Sequence, residues 1–333
     1  MKIHNFSAGP SILPKEVMNI ASDSVLNLNN SGLSLIEISH RSKDFVEIMN
    51  KATSLSLELL NLENKGYKAL FLQGGASLQF LMTAYNLLNN KAGYLNTGSW
   101  STKAIKEAKL FGEVIELASS KDKNFNYIPK GYNIDSSLDY VHLTTNNTIF
   151  GTQIKNIPET EVSLVADMSS DIFSKNIDFS KFSLIYAGAQ KNMGPAGTTL
   201  VIVKEDILGK VNRTIPSMLD YQIHIDKESM FNTPPVFAVY TCMLTLNWLK
   251  ENGGITEIES KNSKKAKLIY NEIDSNELFE GFAAIEDRSE MNATFNLKNT
   301  NHKEIFDKMC QNANISGVNA VSYTHLRAHE TIP

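Results

Sequence analysis

This chain has little cysteine and no excess of basic charge. Of its 333 residues only Cys242 and Cys310 are cysteines, and they lack the paired spacing of a zinc site or a disulfide framework. Lysine and arginine total 32 against 36 aspartate and glutamate residues, a formal net charge of −4. This balance argues against a nucleic-acid partner. We therefore expect no metal site, no nucleic-acid ligand and a reducing, cytoplasmic environment.

Long hydrophobic runs are also missing. The first ten residues lack the apolar core of a signal peptide, and the most apolar later stretch, 236–249, is too short and too polar to span a bilayer. We therefore expect no membrane partner. At 42% hydrophobic and 20% charged residues, the composition is typical of a globular protein with room for one large domain and a smaller one.

Strand-like and helix-like segments alternate through the first two thirds of the chain. Apolar runs typical of buried strands occur at 68–72, 93–96, 114–117, 140–144, 162–166, 184–186 and 199–203. Helical spacing follows the first two of these runs, at 78–88 and 101–111. The alternation predicts an α/β domain with a mostly parallel sheet, in which ligands gather at the carboxyl ends of the strands.

The last third of the chain has a different pattern. A helix is predicted over 235–250, and a charge-rich segment follows at 255–273. A strand at 292–297 and a helix at 302–313 then indicate a small α+β unit. We expect a large domain over 1–255 and a small C-terminal domain over 256–320.

Lys191 follows an apolar stretch, 182–185, and is surrounded by small residues in the run Tyr-Ala-Gly-Ala-Gln-Lys-Asn-Met-Gly-Pro-Ala-Gly. Small neighbours leave room for a flat ligand above the lysine. A lysine becomes a nucleophile toward an aldehyde when desolvation or a nearby cation lowers its pKa. The run therefore suggests a lysine that forms a Schiff base, and a lysine that merely caps a strand in a glycine-rich turn is the alternative.

Asp167 ends the strand predicted at 162–166 and precedes Lys191 by 24 residues. This separation allows both side chains to reach the same edge of the sheet. A carboxylate at that edge suits a cofactor whose pyridine nitrogen must stay protonated to act as an electron sink. An aspartate that caps a turn is the alternative.

Several further runs carry polar or flat groups at turns. The run Gln-Gly-Gly-Ala-Ser at 73–77 lies between a strand and a helix, where backbone N–H groups bind phosphate, although a simple tight turn has the same pattern. Trp100 could stack on a ring or pack in the core, and Thr148 offers a hydroxyl. The run Phe-Asn-Thr-Pro-Pro at 231–235 places two small polar side chains before a double proline that fixes an extended approach, and a rigid turn with a helix start is the alternative. The pair His40-Arg41 suits a carboxylate or phosphate, and an exposed salt bridge is the alternative.

Together these residues resemble the phosphoserine aminotransferase family, which are pyridoxal-phosphate enzymes of fold type I. The resemblance begins at the run Asn-Phe-Ser-Ala-Gly-Pro, 5–10, includes the runs named above, and extends to about Gly317. It implies a large domain with a seven-stranded, mostly parallel sheet flanked by helices, with the segment 1–15 packed near the small domain. It also implies transfer of the amino group of L-glutamate to 3-phosphohydroxypyruvate, giving O-phospho-L-serine and 2-oxoglutarate. A related step with 4-phosphohydroxythreonine, in vitamin B6 synthesis, stays open.

The resemblance also implies a role for each residue. Lys191 would carry the cofactor and move the proton of the substrate α-carbon, Asp167 would pair with the pyridine nitrogen, and Trp100 would stack on the ring. The phosphate would be held by Ala76, Ser77, Gln190 and, from the partner subunit of a homodimer, Asn232 and Thr233. Thr148 would contact the ring hydroxyl, and His40 with Arg41 would bind the distal anion of the substrate.

The sequence departs from the family after Gly317. The family continues with an adjacent His-Arg pair, a Gly-Gly pair and an arginine for the substrate α-carboxylate, and His325, Arg327 and His329 do not have that spacing. We therefore expect 321–333 to be a non-native tail on a truncated small domain. The alternatives are a cofactor-binding protein with little transaminase activity, or another fold type I enzyme such as a serine–glyoxylate aminotransferase or a cysteine desulfurase.

Overall fold

The predicted alternation of strands and helices is present in the structure, a computed structural model that describes residues 2–320 and 323–327. Within these residues the α-helices are α1 Lys15–Leu26, α2 Lys43–Leu59, α3 Gly75–Leu87, α4 Ser99–Ala108, α5 Ala189–Asn192, α6 Tyr221–Asp226, α7 Val236–Glu251, α8 Gly254–Ser275 and α9 Lys303–Asn312. The strands are β1 His4–Asn5, β2 Tyr67–Leu72, β3 Lys91–Asn96, β4 Glu113–Ser119, β5 Val141–Thr144, β6 Asn146–Asn147, β7 Thr152–Gln153, β8 Leu164–Asp167, β9 Phe182–Gly188, β10 Thr199–Lys204, β11 Phe279–Gly281, β12 Asn292–Leu297, β13 Ile315–Ser316, β14 Asn319–Ala320 and β15 Tyr323–Arg327.

Seven strands form the main sheet, in the order β2-β10-β9-β8-β5-β3-β4. The pairs β9–β8, β8–β5, β5–β3 and β3–β4 are parallel, whereas β10 runs antiparallel to both of its neighbours. The predicted α/β fold with a mostly parallel, seven-stranded sheet is therefore confirmed. Since β2 and β9 are both antiparallel to β10, the carboxyl ends of all the other six strands lie at the same edge.

Helices cover both faces of this sheet. On one face α2 and α7 pack against it, and α2 contributes a stripe of buried side chains at helical spacing, namely Phe45, Ile48, Met49, Ala52 and Leu55. On the other face α3 and α4 pack against a second apolar cluster. A sheet covered on both faces needs strands that are apolar throughout, which is why the strands are recognisable in the sequence as apolar runs.

A second sheet has the order β11-β12-β15-β14 and packs against α8 through Ile273, Ala293 and Phe295. The first strand, β1, pairs in parallel with β13, so that His4 lies opposite Ile315. The domain boundaries at 1–255 and 256–320, and the packing of 1–15 near the small domain, stay predictions. Of the predicted non-native tail, 321, 322 and 328–333 lie outside the described residues, while 323–327 form β15.

None of the helices among the described residues is long and apolar enough to cross a membrane.

Candidate active site

Lys191 lies in the short helix α5, three residues after β9 ends. Its Nζ donates a hydrogen bond to Thr148 Oγ1 at 2.6 Å and lies 5.6 Å from the centroid of the Trp100 ring. Thr148 follows β5 and β6, and Trp100 is in the first turn of α4, which follows β3. Three connections at the same sheet edge thus bring an amine, a hydroxyl and an aromatic ring together.

The amino-terminal segment lies directly on Lys191. Ser11 N donates to Gln190 O at 3.0 Å, and the Ser11 hydroxyl donates to the Lys191 carbonyl. A Cβ on Gly9 would come within 2.9 Å of Lys191 Cγ. Only a residue without a side chain leaves room for the lysine chain at this point, so Gly9 helps to set where the amine lies.

Asp167 is the last residue of β8 and is 5% exposed. One of its carboxylate oxygens accepts a hydrogen bond from Ser169 N at 2.9 Å. Burial raises the pKa of Asp167, and this effect outweighs the opposing effects of the Ser169 hydrogen bond and of the Lys191 ammonium. The site therefore contains a buried carboxylate that a further cation would stabilise.

An aromatic layer lies beside Asp167 on the same sheet. The His142 imidazole is 2.7 Å from the Tyr186 hydroxyl and is stacked on Tyr94 with ring centroids 4.9 Å apart. Burial lowers the pKa of His142 to about 3, so its imidazole is neutral at physiological pH. Burial also raises the pKa of Tyr186, and Asp167 adds to that rise. This layer places neutral groups on one side of the carboxylate and supplies no positive charge to it.

The burial of Asp167 is expected to make the stability of the folded chain depend on pH. Because its folded pKa lies above the unfolded value of about 3.9, stability falls as the pH rises from that value through the folded pKa. We expect ligand-free Asp167→Asn protein to melt at a higher temperature than the original chain at neutral pH, with the gap closing toward about pH 4. Melting curves of both proteins across this pH range test the prediction. A lower melting temperature for the variant at neutral pH would contradict it.

Trp100 is half-buried and has cations near its ring. Lys103 Nζ lies 4.4 Å from the ring centroid, in addition to Lys191 at 5.6 Å. The indole Nε1 is buried, and no hydrogen-bond partner for it is found among residues 2–320. An indole in the core normally has its N–H paired, so this ring fits a position next to a ligand.

The glycine run forms the start of α3. Gly74 is the N-cap with φ of 89°, Gly75 has φ of 66°, and no side chain caps the helix. The first N–H groups of a helix have no acceptor within it, so those of Gly75, Ala76 and Ser77 can donate to an anion. The structure thus places the predicted phosphate cradle at the carboxyl end of β2, at the same edge as Lys191.

The segment 231–235 lies next to this cradle in the same chain. Gln73 Nε2 donates to Thr233 O at 2.9 Å, and Asn232 Nδ2 donates to Gln73 Oε1 at 3.3 Å. The side chain of Gln190, by contrast, lies beside Gly188, where an added Cβ would meet Gln190 Oε1 at 2.8 Å. The prediction that Asn232 and Thr233 serve a partner subunit stays a prediction.

His40 and Arg41 lie in the turn before α2. Arg41 is exposed, and its backbone N–H donates to Ser39 Oγ at 3.1 Å. The Nε2 atom of His40 is buried and has no hydrogen-bond partner within the described part of the chain. The prediction that this pair binds the distal anion of the substrate stays a prediction.

Four residues at the site were not predicted from the residues themselves. Gly9 and Ser11 contact Lys191, Ser169 donates to Asp167, and Asn292 donates to the Thr148 carbonyl. The run of small residues at 7–9 was a signal for close backbone approach, but nothing in the sequence says what it approaches. Among the described residues, no group of three or more His, Cys, Asp or Glu side chains could hold a metal ion.

The arrangement can hold a flat, anionic cofactor. The amine of Lys191 can react with an aldehyde, Asp167 can hold a proton on a ring nitrogen, and Trp100 can stack on the ring. The start of α3 offers N–H groups to a phosphate. These are the groups that pyridoxal phosphate needs, and the buried, cation-poor carboxylate fits its pyridinium.

Comparisons with known proteins agree with this reading. The family description "Aminotransferase class-V" matches residues 3–320. The curated phosphoserine aminotransferase of Flavobacterium johnsoniae is 65% identical over 320 residues, which cover 96% of this chain and 90% of that protein. A phosphoserine aminotransferase solved in a study of radiation damage to its Schiff base is 44% identical with a TM-score of 0.94, over 98% of this chain and 93% of that one.

The PLP-bound phosphoserine aminotransferase from Trichomonas vaginalis is 32% identical with a TM-score of 0.92, over 98% of this chain and 95% of that one. These agreements cover both the sequence and the arrangement of the strands that carry the site. The chain therefore belongs to the class-V aminotransferases, within them to the phosphoserine aminotransferase family, and it has their fold type I architecture.

Proposed function

We propose that this chain moves the amino group of L-glutamate to 3-phosphohydroxypyruvate, giving O-phospho-L-serine and 2-oxoglutarate, with pyridoxal 5′-phosphate as its cofactor. The observation that carries the proposal is the amine of Lys191, held by Thr148 over the Trp100 ring, in a chain 65% identical to a phosphoserine aminotransferase. When bound, the cofactor supplies an aldehyde that condenses with amines and a ring that withdraws electrons from the substrate α-carbon.

Lys191 has two tasks in this proposal. Its amine would hold the cofactor through the aldehyde, and it would also serve as the group that takes the proton from the substrate α-carbon and delivers it to the cofactor. The Thr148 hydroxyl, 2.6 Å from Nζ, holds the amine in place and would contact the ring hydroxyl of the bound cofactor. The segment 9–11 packs on the carbonyl group and the aliphatic chain of Lys191.

Asp167 and Trp100 hold the ring. The buried carboxylate of Asp167 would keep a proton on the pyridine nitrogen, because burial outweighs the stabilisation that Ser169 and Lys191 give the carboxylate and a further cation would offset it. The Trp100 ring faces the Lys191 amine and provides a flat surface for stacking. Both contacts use side chains that the fold has already placed at the carboxyl ends of β8 and β3.

The phosphate site uses residues of two subunits in this proposal. Backbone N–H groups of Ala76 and Ser77, and the side chain of Gln190, hold the phosphate in one subunit. Asn232 and Thr233 of the partner subunit complete the site, which makes a homodimer necessary for activity. The exposed position of the 231–233 segment, beside Gln73, supports a contact at a subunit boundary.

His40 and Arg41 bind the distal anion of the substrate. A guanidinium and an imidazole suit both the phosphate of one substrate and the side-chain carboxylate of glutamate. Within the described part of the chain the buried Nε2 of His40 has no hydrogen-bond partner, which supports a contact between this atom and an anion.

The proposal includes a cytoplasmic location, as the composition predicts. Cys242 and Cys310 are both buried free thiols, which fits a reducing compartment. Burial also raises the pKa of Cys242, so this residue has none of the thiolate character that a cysteine desulfurase requires.

Half-reactions test the proposed function. Full-length protein loaded with pyridoxal phosphate is mixed with one amino donor at a time, and both the cofactor absorbance and the keto product are followed. L-Glutamate should yield 2-oxoglutarate and O-phospho-L-serine should yield 3-phosphohydroxypyruvate, whereas L-serine and L-cysteine should react far more slowly. A preference for L-serine or L-cysteine would replace this function with that of another fold type I enzyme. An unchanged spectrum with every donor would leave a cofactor-binding protein without transaminase activity.

The close packing of Gly9 on Lys191 gives a further prediction. In Gly9→Ala the new methyl group would lie 2.9 Å from Lys191 Cγ, closer than carbon atoms normally approach. We expect the lysine chain to be displaced and the affinity for pyridoxal phosphate to fall by about tenfold. Titration of cofactor-free protein by absorbance measures this affinity.

Gly112→Ala is the matched control. Its Cβ would meet the Asn90 carbonyl oxygen, also at 2.9 Å, but at the far edge of the main sheet. We expect this variant to lose stability and to bind the cofactor like the original chain. If Gly9→Ala bound pyridoxal phosphate with unchanged affinity, Gly9 would have no part in placing the amine.

A further inference from the structure

A buried polar cluster joins the second sheet to the loop that carries Thr148. Asn292, at the start of β12, donates from Nδ2 to the Thr148 carbonyl oxygen at 2.8 Å. Its Oδ1 accepts from Asn146 Nδ2, also at 2.8 Å. Asn292 is 2% exposed and Asn146 is 3% exposed, so these bonds are shielded from water. A strand of the second sheet therefore holds the peptide group of Thr148 directly.

The orientation of the Asn292 amide is fixed by its other partners. The Ser289 hydroxyl lies 3.3 Å from Asn292 Oδ1 and 2.5 Å from Asn146 Oδ1. Asn146 Nδ2 has a further acceptor in Ser170 Oγ at 2.9 Å. The single hydroxyl proton of Ser289 serves the shorter contact and holds Asn146 Oδ1, so Asn146 Nδ2 faces Asn292 Oδ1, which leaves Asn292 Nδ2 to face the Thr148 carbonyl. A fully paired buried network of this kind permits a single arrangement.

Thr148 makes hydrogen bonds to two different partners, one through its carbonyl group and one through its hydroxyl. Its carbonyl accepts from Asn292, and its hydroxyl accepts from Lys191 Nζ at 2.6 Å. When the peptide group is fixed, the backbone bonds that direct the side chain are fixed too. The position of the hydroxyl on the amine therefore depends on the hydrogen bond from Asn292.

We propose that Asn292 is a positioning residue for the reaction, acting through Thr148 on the Lys191 amine. The proposal rests on the function proposed above for Lys191 and adds a residue of the second sheet to it. Asn292 contacts neither the amine nor the ring. Asn292 holds Thr148 so that the Thr148 hydroxyl stabilises the protonated amine. The same hydroxyl would contact the ring hydroxyl of the bound cofactor.

Thr294 provides a matched comparison for a merely structural role. It lies two residues further along β12, is 1% exposed, and donates from Oγ1 to the Phe150 carbonyl at 2.9 Å. Strand β12 thus makes two hydrogen bonds to the same loop, one to the Thr148 carbonyl and one to the Phe150 carbonyl. If β12 only stabilises the loop, loss of either bond has the same effect on Lys191. If Asn292 positions Thr148, only its loss changes the chemistry of the amine.

The test follows the protonation of Lys191 in full-length protein from which the cofactor has been removed. Pyridoxal 5′-phosphate is added at a series of pH values, borohydride fixes the product, and peptide mapping gives the fraction attached at Lys191. The variants are Asn292→Ala, Asn292→Ser, Thr148→Val, Thr294→Val and the Asn292→Ala, Thr148→Val double variant. Circular dichroism and melting curves accompany each one. Asp167 also acts electrostatically on this amine and is unchanged in every variant.

Loss of an acceptor for the ammonium favours the neutral amine, so the pH midpoint of attachment should move down. We expect a downward shift of about half a pH unit in Asn292→Ala, at least as large a shift in Thr148→Val, and no further shift in the double variant. Asn292→Ser should give the same direction and covers the case in which the alanine variant is unstable. Thr294→Val should lower the melting temperature and leave the midpoint in place.

Three results would overturn the proposal: an unchanged midpoint in both Asn292 variants, an equal shift in Thr294→Val, or additive shifts in the double variant. The first of these, with normal attachment in the original chain, would leave the proposed function intact. Absence of attachment at Lys191 in the original chain would remove the proposed function and this proposal together.

Discussion

Replacement of Lys191 by alanine is expected to abolish transamination, with kcat falling by about 10⁴-fold or more. The variant loses both the amine that holds the aldehyde and the base for the α-carbon proton, while Trp100 and Asp167 remain to bind the ring. Single-turnover conversion of L-glutamate to 2-oxoglutarate measures the loss. Mass spectrometry after borohydride treatment should find no cofactor fixed on the chain.

Two further substitutions serve as controls for this result. Lys103 lies over the same Trp100 ring, 4.4 Å from its centroid, so Lys103→Ala removes a neighbouring cation without removing the reactive amine. It should keep most of the activity. Lys191→Arg keeps a positive charge but cannot condense with an aldehyde, and it should be as inactive as the alanine variant. A tenth or more of the original turnover in Lys191→Ala would show that another group carries the proton.

Replacement of Asp167 by asparagine is expected to lower kcat by about 10³-fold. An ion pair at an ordinary separation of about 4 Å and an effective dielectric constant of about 20 contributes roughly 4 kcal/mol. Asparagine has no charge and cannot give this stabilisation to a protonated ring nitrogen. The ring would then lose the protonated form that withdraws electrons from the substrate α-carbon. Steady-state rates with L-glutamate and 3-phosphohydroxypyruvate, together with the cofactor spectrum, test the prediction.

Asp171→Asn is the control for a change of charge in the same loop. Asp171 is 4% exposed, accepts from Thr145 Oγ1, and lies 3.6 Å from Lys175 Nζ. Its substitution leaves Lys175 without its carboxylate, so the melting temperature should fall. Ligand-free Asp167→Asn should melt higher, as argued above, so the two variants should change stability in opposite directions. A comparable loss of kcat in Asp171→Asn would mean that loop geometry, and not the charge of Asp167, causes the effect.

Much of the fold and the meeting of Asp167 with Lys191 could be predicted from the sequence. The strands of the main sheet are buried on both faces, so β8, β9 and β10 stand out as apolar runs. Because β8 and β9 are adjacent and parallel, the residues that follow them reach one edge of the sheet. The separation of 24 residues between Asp167 and Lys191 therefore indicated that both side chains reach the same edge of the sheet.

The direction of β10 was less visible in the pattern of residues. An apolar strand looks the same whether it runs parallel or antiparallel to its neighbours. The useful signal was the short connection 189–198 between β9 and β10, which has no room for the crossover that a parallel pair requires.

Contacts between distant segments could not be predicted in this way. Asn292 looks like any polar residue in a half-buried strand, and its role depends on the Thr148 peptide, more than 140 residues away in the chain. Gly9 and Ser11 lie in a segment without periodicity, and only the folded chain places them on Lys191. Local spacing carries information about strands and helices, whereas these partners are fixed by tertiary packing.

The pairing of β1 with β13 bears on how the enzyme matures during synthesis. The main sheet is complete once residue 204 has emerged from the ribosome, yet β1 finds its partner strand only after residue 316. Ser11 and Lys191 are themselves 180 residues apart, so their contact closes a long loop. Until β13 emerges, β1 has no strand to hold the segment that covers Lys191. Residues 4–11 therefore take their place beside Lys191 only after residue 316 has been made, although they are translated long before it.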